Sequence, residues 1–332
     1  MSDWLTAKEN DTQASVLVTV ALVEGSGPRE AGAKMRVTLN DQVDTIGGGH
    51  LELKAIAIAR TMLDDGAVRH FERFPLGPSL GQCCGGVAHL LFERVESMQL
   101  AVLRARAGVD SFRVVALDGT AAAVCDASGR VLTGDRTPAF NAGAGTHVMR
   151  DEAGQRWLVD AILAPRAHLV LFGAGHVGAA IVRLLQDLPC RVTWVDERED
   201  MFPDFLPPNV RVEATDLPEA CVAAASPGSS FLVMTHSHAL DQRLCEAILA
   251  RADAGWFGLI GSTTKRSQFE HRLRVRGFDS DRIDAMVCPI GVPGVNGKQP
   301  AVIAIAVVAQ LLSVWEAAHS APVPCAVSSE RS

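Results

Sequence analysis

The densest chemistry in the chain is Gly81-Gln82-Cys83-Cys84-Gly85-Gly86. Adjacent thiols in a glycine-rich loop stay accessible, and as thiolates they are soft ligands suited to a transition metal. The competing reading of a cysteine is a small buried hydrophobe, and the residues alone leave both open. A second set lies in His236-Ser237-His238 with Asp241. Imidazoles two residues apart beside a carboxylate have the ligand types of a zinc site. The pattern offers no further ligand, so His238 and Asp241 read better as helix caps and His236 as a polar group in a crevice. Gly261-Ser262 with Lys265 suits a phosphate, through loop amides and a point charge, or a plain helix start with Ser262 as N-cap. Nearer the N-terminus, Arg29 and Lys34 stand in a glycine-dense loop, and Gly47-Gly48-Gly49-His50 separates a strand from a helix. Consecutive amides in such a loop converge on an anion, and the two cations could help hold a phosphate there.

The elements that must position these groups are clearest after residue 164. His168 to Phe172 is a short apolar run, followed by Gly173-Ala-Gly175-His176-Val-Gly178, an amphipathic stretch from Ala179 to Leu188, a second strand from Arg191 to Val195, and Asp196. Strand, G-x-G-x-x-G, helix, strand and acid is the order of a dinucleotide-binding βαβ unit. Gly173 permits the turn, Gly175 lets amides approach a pyrophosphate, and Gly178 lets helix and strand pack closely. Asp196 would accept from ribose hydroxyls. His176 either faces a ligand over the helix N-terminus or is a solvated first-turn residue. Further strands at Val210–Glu213, Phe231–Thr235 and Trp256–Ile260 alternate with helices. Gly173–Gly178, Asp196, His236–His238 and Gly261–Lys265 therefore all fall on strand ends and should line one rim.

The expected fold is α/β, a Rossmann-like doubly wound parallel sheet preceded by a smaller α+β domain. The first domain runs over 1–163, with strands at Ser15–Val23, Met35–Leu39, Phe71–Phe74, Val87–Phe92, within Ser111–Cys125, at Arg130–Thr133 and at Trp157–Leu163, and a helix from Glu52 to about Leu63. Asp135 to Gly154 shows no period. The second domain covers 164–320 and closes on a long apolar helix from Pro300, which is a reasonable homodimer surface; 321–332 reads as a flexible tail.

At 332 residues and 48% hydrophobic, the chain is long enough for two packed domains. A net charge of −7 without a Lys/Arg block argues against nucleic acid or anionic membrane as partner. No stretch reads as a membrane span or a signal peptide, and the eight cysteines show no disulfide spacing, so a reducing cytoplasm is expected.

Several motifs together resemble one family. Gly25-Ser-Gly-Pro-Arg-Glu-Ala-Gly-Ala-Lys-Met35, Thr45-Ile-Gly-Gly-Gly-His50 with Glu52, and Gly81–Gly86 are similar to the N-terminal domain of the XdhC/CoxI family. Phe172–Gly178, Thr235–Asp241, Gly258–Lys265 and Cys288-Pro-Ile-Gly291 resemble its C-terminal Rossmann domain. The likeness spans roughly residues 15–315. It implies a non-enzymatic carrier of the molybdenum cofactor (Mo-molybdopterin), which protects it, supports exchange of a molybdenum oxo ligand for sulfur from a cysteine desulfurase, and inserts it into apo xanthine dehydrogenase. Cofactor-biosynthesis proteins would be further partners. Cys83 or Cys84 is then the expected molybdenum ligand or sulfur relay, with Arg29, Lys34 and Gly47–Gly49 on the phosphate. NAD or another nucleotide in the Rossmann crevice stays open, and the alternative function is an NAD-dependent oxidoreductase with His176 or His236 as acid/base.

Overall fold

The computed structural model describes residues 3–6, 14–77 and 85–320, with backbone alone for 3, 6, 319 and 320. The chain divides into two units, Met1–Ala164 and Pro165–Ser332.

Unit 1 opens with α1 (Asp3–Thr6) and then β1 (Val16–Glu24), β2 (Lys34–Val37), β3 (Gln42–Asp44), α2 (Gly49–Asp65), β4 (Arg69–Pro75) and β5 (Val87–Arg94). There follow α3 (Ser97–Ala105), β6 (Ser111–Ala116), β7 (Ala122–Asp126), β8 (Val131–Gly134), β9 (His147–Arg150) and β10 (Arg156–Ile162). The strands form two antiparallel sheets ordered β3-β2-β1-β5-β4 and β8-β7-β6-β10-β9. The β-branched run of β1 is buried on both faces, which is why it lacks alternation. Val16, Val18 and Val20 face α2, whose Leu51, Ala55, Ala59 and Met62 recur at helical spacing. Leu17 packs with Val124, and Ala21 with Val115 and Leu158, so the opposite face of the first sheet meets the second. Gly66, in the left-handed region at φ 81°, ends α2 by donating to Met62 O.

Charged side chains are built into this unit. Lys34 Nζ lies 2.7 Å from Asp160 Oδ1, Arg113 bridges Asp160 and Glu93, and Glu93 continues to Arg69 at 3.2 Å. Arg113 and Asp160 are fully buried. Such a chain stands only because each charge has an opposite neighbour, since an isolated buried ion costs several kcal/mol.

In unit 2, β11 (Ala167–Phe172), α4 (His176–Leu185), β12 (Cys190–Asp196), β13 (Val210–Ala214), α5 (Pro218–Ala224) and β14 (Ser230–Val233) precede α6 (His238–Ala250), β15 (Trp256–Leu259), α7 (Thr263–Val275), α8 (Ser280–Asp284) and α9 (Pro300–Ser320). The sheet is wholly parallel, ordered β13-β12-β11-β14-β15, with Val287 added beside Gly258 by one bridge. Helices α4 and α9 cover one face through Ile181, Leu185, Val307 and Leu311. The other face packs on α5 to α8 through Val222, Leu244, Phe269 and Ile283. This is the α/β Rossmann architecture expected.

Four details depart from expectation. Helix α4 starts inside the glycine motif, because Gly175 is its N-cap. Helix α3 was not anticipated, and β9 lies within the aperiodic Asp135–Gly154 stretch; each is too short to show a period, and β9 is an edge strand. Pro300–Ala318 has the length and mean hydropathy (2.0) of a membrane span, contrary to the sequence reading. Its Ala304, Val307, Leu311 and Trp315 instead sit in the core against α4, so much of the face offered for a dimer is used within the unit. The expected tail 321–332 lies outside the described residues.

Candidate functional site

Three glycine loops of unit 1 meet at one place. The loop 25–33 leaves β1, the loop 45–48 joins β3 to α2, and Gly85-Gly86 leads into β5. Gly86 passes so close to the first that a Cβ on it would run into the carbonyl oxygens of Ser26 and Glu24. A Cβ on Gly47 would strike Pro28, at 2.5 Å from its Cβ. Cys83 and Cys84 lie outside the described residues; Cys84 precedes Gly86 by two positions in the chain.

Beside this junction is a cavity of about 290 Å³ whose wall includes Trp4, Arg29, Glu30, Lys34, Asp44 and Thr45. Arg29 and Lys34 thus come together as expected, but neither waits alone for a phosphate. Arg29 forks onto Glu30 at 3.0 and 3.2 Å, and Lys34, 8% exposed, donates to Gly32 O and pairs with Asp160. Trp4 donates its backbone N–H to Asp44 Oδ2 at 2.7 Å, and the Lys34 ammonium sits 5.6 Å from the centre of its ring.

The expected anion nest exists, and the chain fills it. Gly47, Gly48 and Gly49 all take positive φ (120°, 75° and 64°), which turns successive amides inward. Glu52, from the first turn of α2, accepts from Ile46 N at 3.0 Å, Gly48 N at 3.1 Å, Gln42 Nε2 at 3.3 Å and the Thr45 hydroxyl. Gly47 N goes to Thr45 Oγ1. Burial works to raise the Glu52 pKa, but these donors outweigh it and hold the carboxyl below its ordinary value. The Gly48 amide read as a phosphate donor is thus met by Glu52, and the Gly47 amide by Thr45. His50 stands exposed in the first turn of α2.

In unit 2 the four expected motifs do occupy the carboxyl ends of β11, β12, β14 and β15. Gly178 packs against the Gly173 carbonyl, which also accepts from Trp194 Nε1 at 3.1 Å. Asp196 is not free for ribose hydroxyls. Ala174 N reaches its Oδ2 at 2.7 Å, while Arg198 donates its backbone N–H and both ends of its guanidinium fork to the same carboxylate. Burial opposes ionisation here too, yet the Arg198 fork and the amides keep the carboxyl below its usual range. The space beside it, walled by Phe172, Pro218, His236, Leu240 and Leu244, is about 10 Å³, room for one water at most. As folded, these residues do not fit the adenosine half of a dinucleotide.

The remaining rim motifs are internal ties. Asp241, fully buried, accepts from Thr235 N at 3.1 Å, Thr235 Oγ1 at 2.7 Å and Lys265 Nζ at 2.6 Å. Lys265 also donates to Ile260 O, so the phosphate reading of Lys265 is corrected. Ser262 caps α7 by accepting from Lys265 N, and Ser237, not His238, caps α6. His176, His236 and His238 are exposed, with His236 3.4 Å from Glu197. Among the described residues no group of three or more His, Cys, Asp or Glu is placed to hold a metal ion.

Sequence reasoning missed Trp4, Glu30, Asp44 and Arg198. Glu30 and Arg198 stand next to, or two residues from, a named candidate, which was the one available signal. Trp4 reaches Asp44 across forty residues of chain, a contact no local pattern announces.

Comparison with known proteins bears on both units. Residues 10–75 match the XdhC and CoxI family, and residues 169–311 match the XdhC Rossmann domain. A 152-residue stretch is 30% identical to the uncharacterized protein YqeB of Escherichia coli (strain K12). That stretch is 45% of this chain and 27% of YqeB, so the chain spans about a quarter of the length of this curated relative. A solved structure from Bacillus halodurans, described as a xanthine dehydrogenase, superposes with a TM-score of 0.76 over 98% of each chain, at 23% identity. At that identity the likeness is one of fold.

Proposed function

The chain belongs to the XdhC and CoxI family, and from that membership we propose that it is an accessory protein of xanthine dehydrogenase maturation that carries the molybdenum cofactor as cargo. It works in the cytoplasm as a homodimer, without chemistry of its own on the carbon skeleton. It holds the cofactor for sulfuration by a cysteine desulfurase and delivers it to apo xanthine dehydrogenase. The thiolates of Cys83 and Cys84 supply soft ligands for the molybdenum or relay the sulfur. The carrying observation is the convergence of unit 1: the base of the two-cysteine loop abuts the loop of Arg29, beside a charged cavity. A carrier must release its cargo, and an open, partly self-neutralised site of this kind favours exchange over tight retention.

The test is metal and pterin content of protein purified anaerobically from cofactor-replete cells. Wild type should retain molybdenum through gel filtration, and the double variant Cys83→Ala/Cys84→Ala should lose it, with each single variant telling which thiol matters. Unchanged molybdenum in the double variant removes the cysteines from the role; no molybdenum in wild type removes the carrier function.

A further inference from the structure

We propose that unit 2 holds a binding site of its own, away from the glycine rim: a cavity on the α5 side of the sheet that takes a small monocarboxylate with an apolar body, its carboxylate on Arg191. Helix α5 has only seven residues, and beside it β11, β12 and β13 floor a cavity of about 470 Å³. His168 and Val170 come from β11, Arg191 and Thr193 from β12, Val210 from β13 and Ala224 from the end of α5. His168 and Arg191 are each the second residue of their strand and Val210 the first, whereas Gly173–Gly178 and Asp196 stand at the carboxyl ends.

The polar groups of this wall satisfy one another and leave one cation over. Ser229 donates its hydroxyl to Ser226 O at 2.7 Å, so towards His168 Nδ1, 3.0 Å away, its oxygen accepts. That fixes the ring proton on Nδ1, and Nε2 accepts from the Thr193 hydroxyl at 2.9 Å. The ring is then neutral with both nitrogens occupied, and Thr193 has no further proton to offer an anion. Burial, and after it the charge of Arg191, hold the His168 pKa below its ordinary value. Arg211 is engaged by Glu213 at 2.7 Å. Arg191 has neither a hydrogen bond nor an ion pair among the described residues.

A single guanidinium above apolar carbon selects its ligand. A planar carboxylate takes two N–H groups of the fork at once. A phosphate calls for several donors, and the other basic groups here, His168 and Arg211, are already engaged. Val170, Val210, Ala224 and Ala225 give the body of the ligand an apolar bed. The volume lies within the range of about 300–1,000 Å³ found for small-molecule sites.

The full chain is titrated by calorimetry with 4-methylpentanoate, its amide 4-methylpentanamide, acetate and inorganic phosphate. The branched acid should bind saturably at one site with a Kd of about 1 mM or tighter. The amide, which lacks the charge, and acetate, which lacks the body, should each bind about tenfold or more weaker. Arg191→Gln should lose about tenfold, whereas Arg183→Gln, the same charge change on exposed α4 across the sheet, should bind as wild type. Ala224→Leu, at an exposed position of α5, should fill the cavity and block binding with Arg191 intact. No saturable binding of the branched acid, equal affinity for acid and amide, or phosphate bound more tightly than the acid overturns the assignment on wild-type protein alone. So does a loss in Arg191→Gln no greater than in Arg183→Gln, or an Ala224→Leu variant that binds as wild type. None of these readouts involves molybdenum, so the carrier reading stands or falls separately.

Discussion

The glycine loops of unit 1 and the glycine rim of unit 2 are built from similar residues and end in opposite states. In unit 2 Asp196 is closed by Arg198 and the Ala174 amide, Asp241 by Lys265 and Thr235, and Leu240 and Leu244 wall a crevice of about 10 Å³. In unit 1 Glu52 closes the amide nest, yet a cavity of about 290 Å³ remains beside it with Arg29, Glu30 and Asp44 on its wall. The difference lies in where the charges find partners. In unit 2 Arg198 turns back on Asp196 within one loop, and Lys265 of α7 reaches Asp241 of α6, so the acids at the crevice are met by bases of the same rim. Unit 1 runs its main ion chain from Lys34, on the cavity wall, inward through Asp160, Arg113 and Glu93 to Arg69, and leaves Arg29 on Glu30 at the surface. A glycine motif therefore marks where a ligand could approach, and only the neighbouring charges decide whether the place stays open.

Removing one member of a buried pair should have the largest effect and ranks the two regions. Arg113→Ala leaves Glu93 to Arg69 and Asp160 to Lys34, each short of a partner, and Lys265→Met removes the cation from Asp241; each should cost about 3–5 kcal/mol in chemical denaturation. Adding Asp241→Asn to Lys265→Met should recover much of the loss, because that site is one pair. A single neutralisation should not recover Arg113→Ala, because two acids depend on it. Equal rescue in both units would dissolve the distinction between a chain and a pair.

Glycine substitutions come next. Gly178→Ala drives a methyl into the Gly173 carbonyl and should cost about 1–3 kcal/mol with a shift of α4. Gly48→Ala meets no atom within 4 Å, so its cost of about 1–2 kcal/mol should come from the backbone alone, at φ 75° and ψ −169°, a region essentially kept to glycine. Thermal melts that order the two the other way would show the nest to be more rigid than the Rossmann turn.

The smallest effect expected is on pH dependence. Glu52 and Asp196 both have pKa values lowered on folding. Their stabilisation is therefore complete above the ordinary carboxylate range, near pH 4–5, and is lost as pH falls through and below it. Glu52→Gln and Asp196→Asn should each flatten the acid limb of a stability–pH curve while leaving the neutral limb parallel. Acid limbs that stay as steep as wild type would mean that the loop amides and Arg198 do not favour the charged forms.

Much of the architecture was legible before the fold. The order of strand, glycine motif, helix, strand and acid in residues 168–196 depends on local period and turn chemistry, so it marked the Rossmann unit, and the convergence of the motifs on one rim followed from topology. Likewise β1 and α2 showed in their β-branched run and helical spacing. What local pattern could not show were partners. Lys34 and Lys265 looked like free phosphate cations because the sequence places Asp160 and Asp241 far from them, 126 and 24 residues away.

The sequence by itself determined which residues could carry charge, turn tightly or bind soft metal, and in which elements they would stand. Only the tertiary structure decided which of those groups satisfy one another. A side chain's identity and period are local properties, whereas the availability of a carboxylate or ammonium depends on what the folded chain brings within hydrogen-bonding distance, and burial makes that pairing compulsory. That is why Glu52 took the Gly48 amide meant for a phosphate, Arg198 took the acid meant for a ribose, and Asp44, unremarked in the chain, came to stand on the cavity.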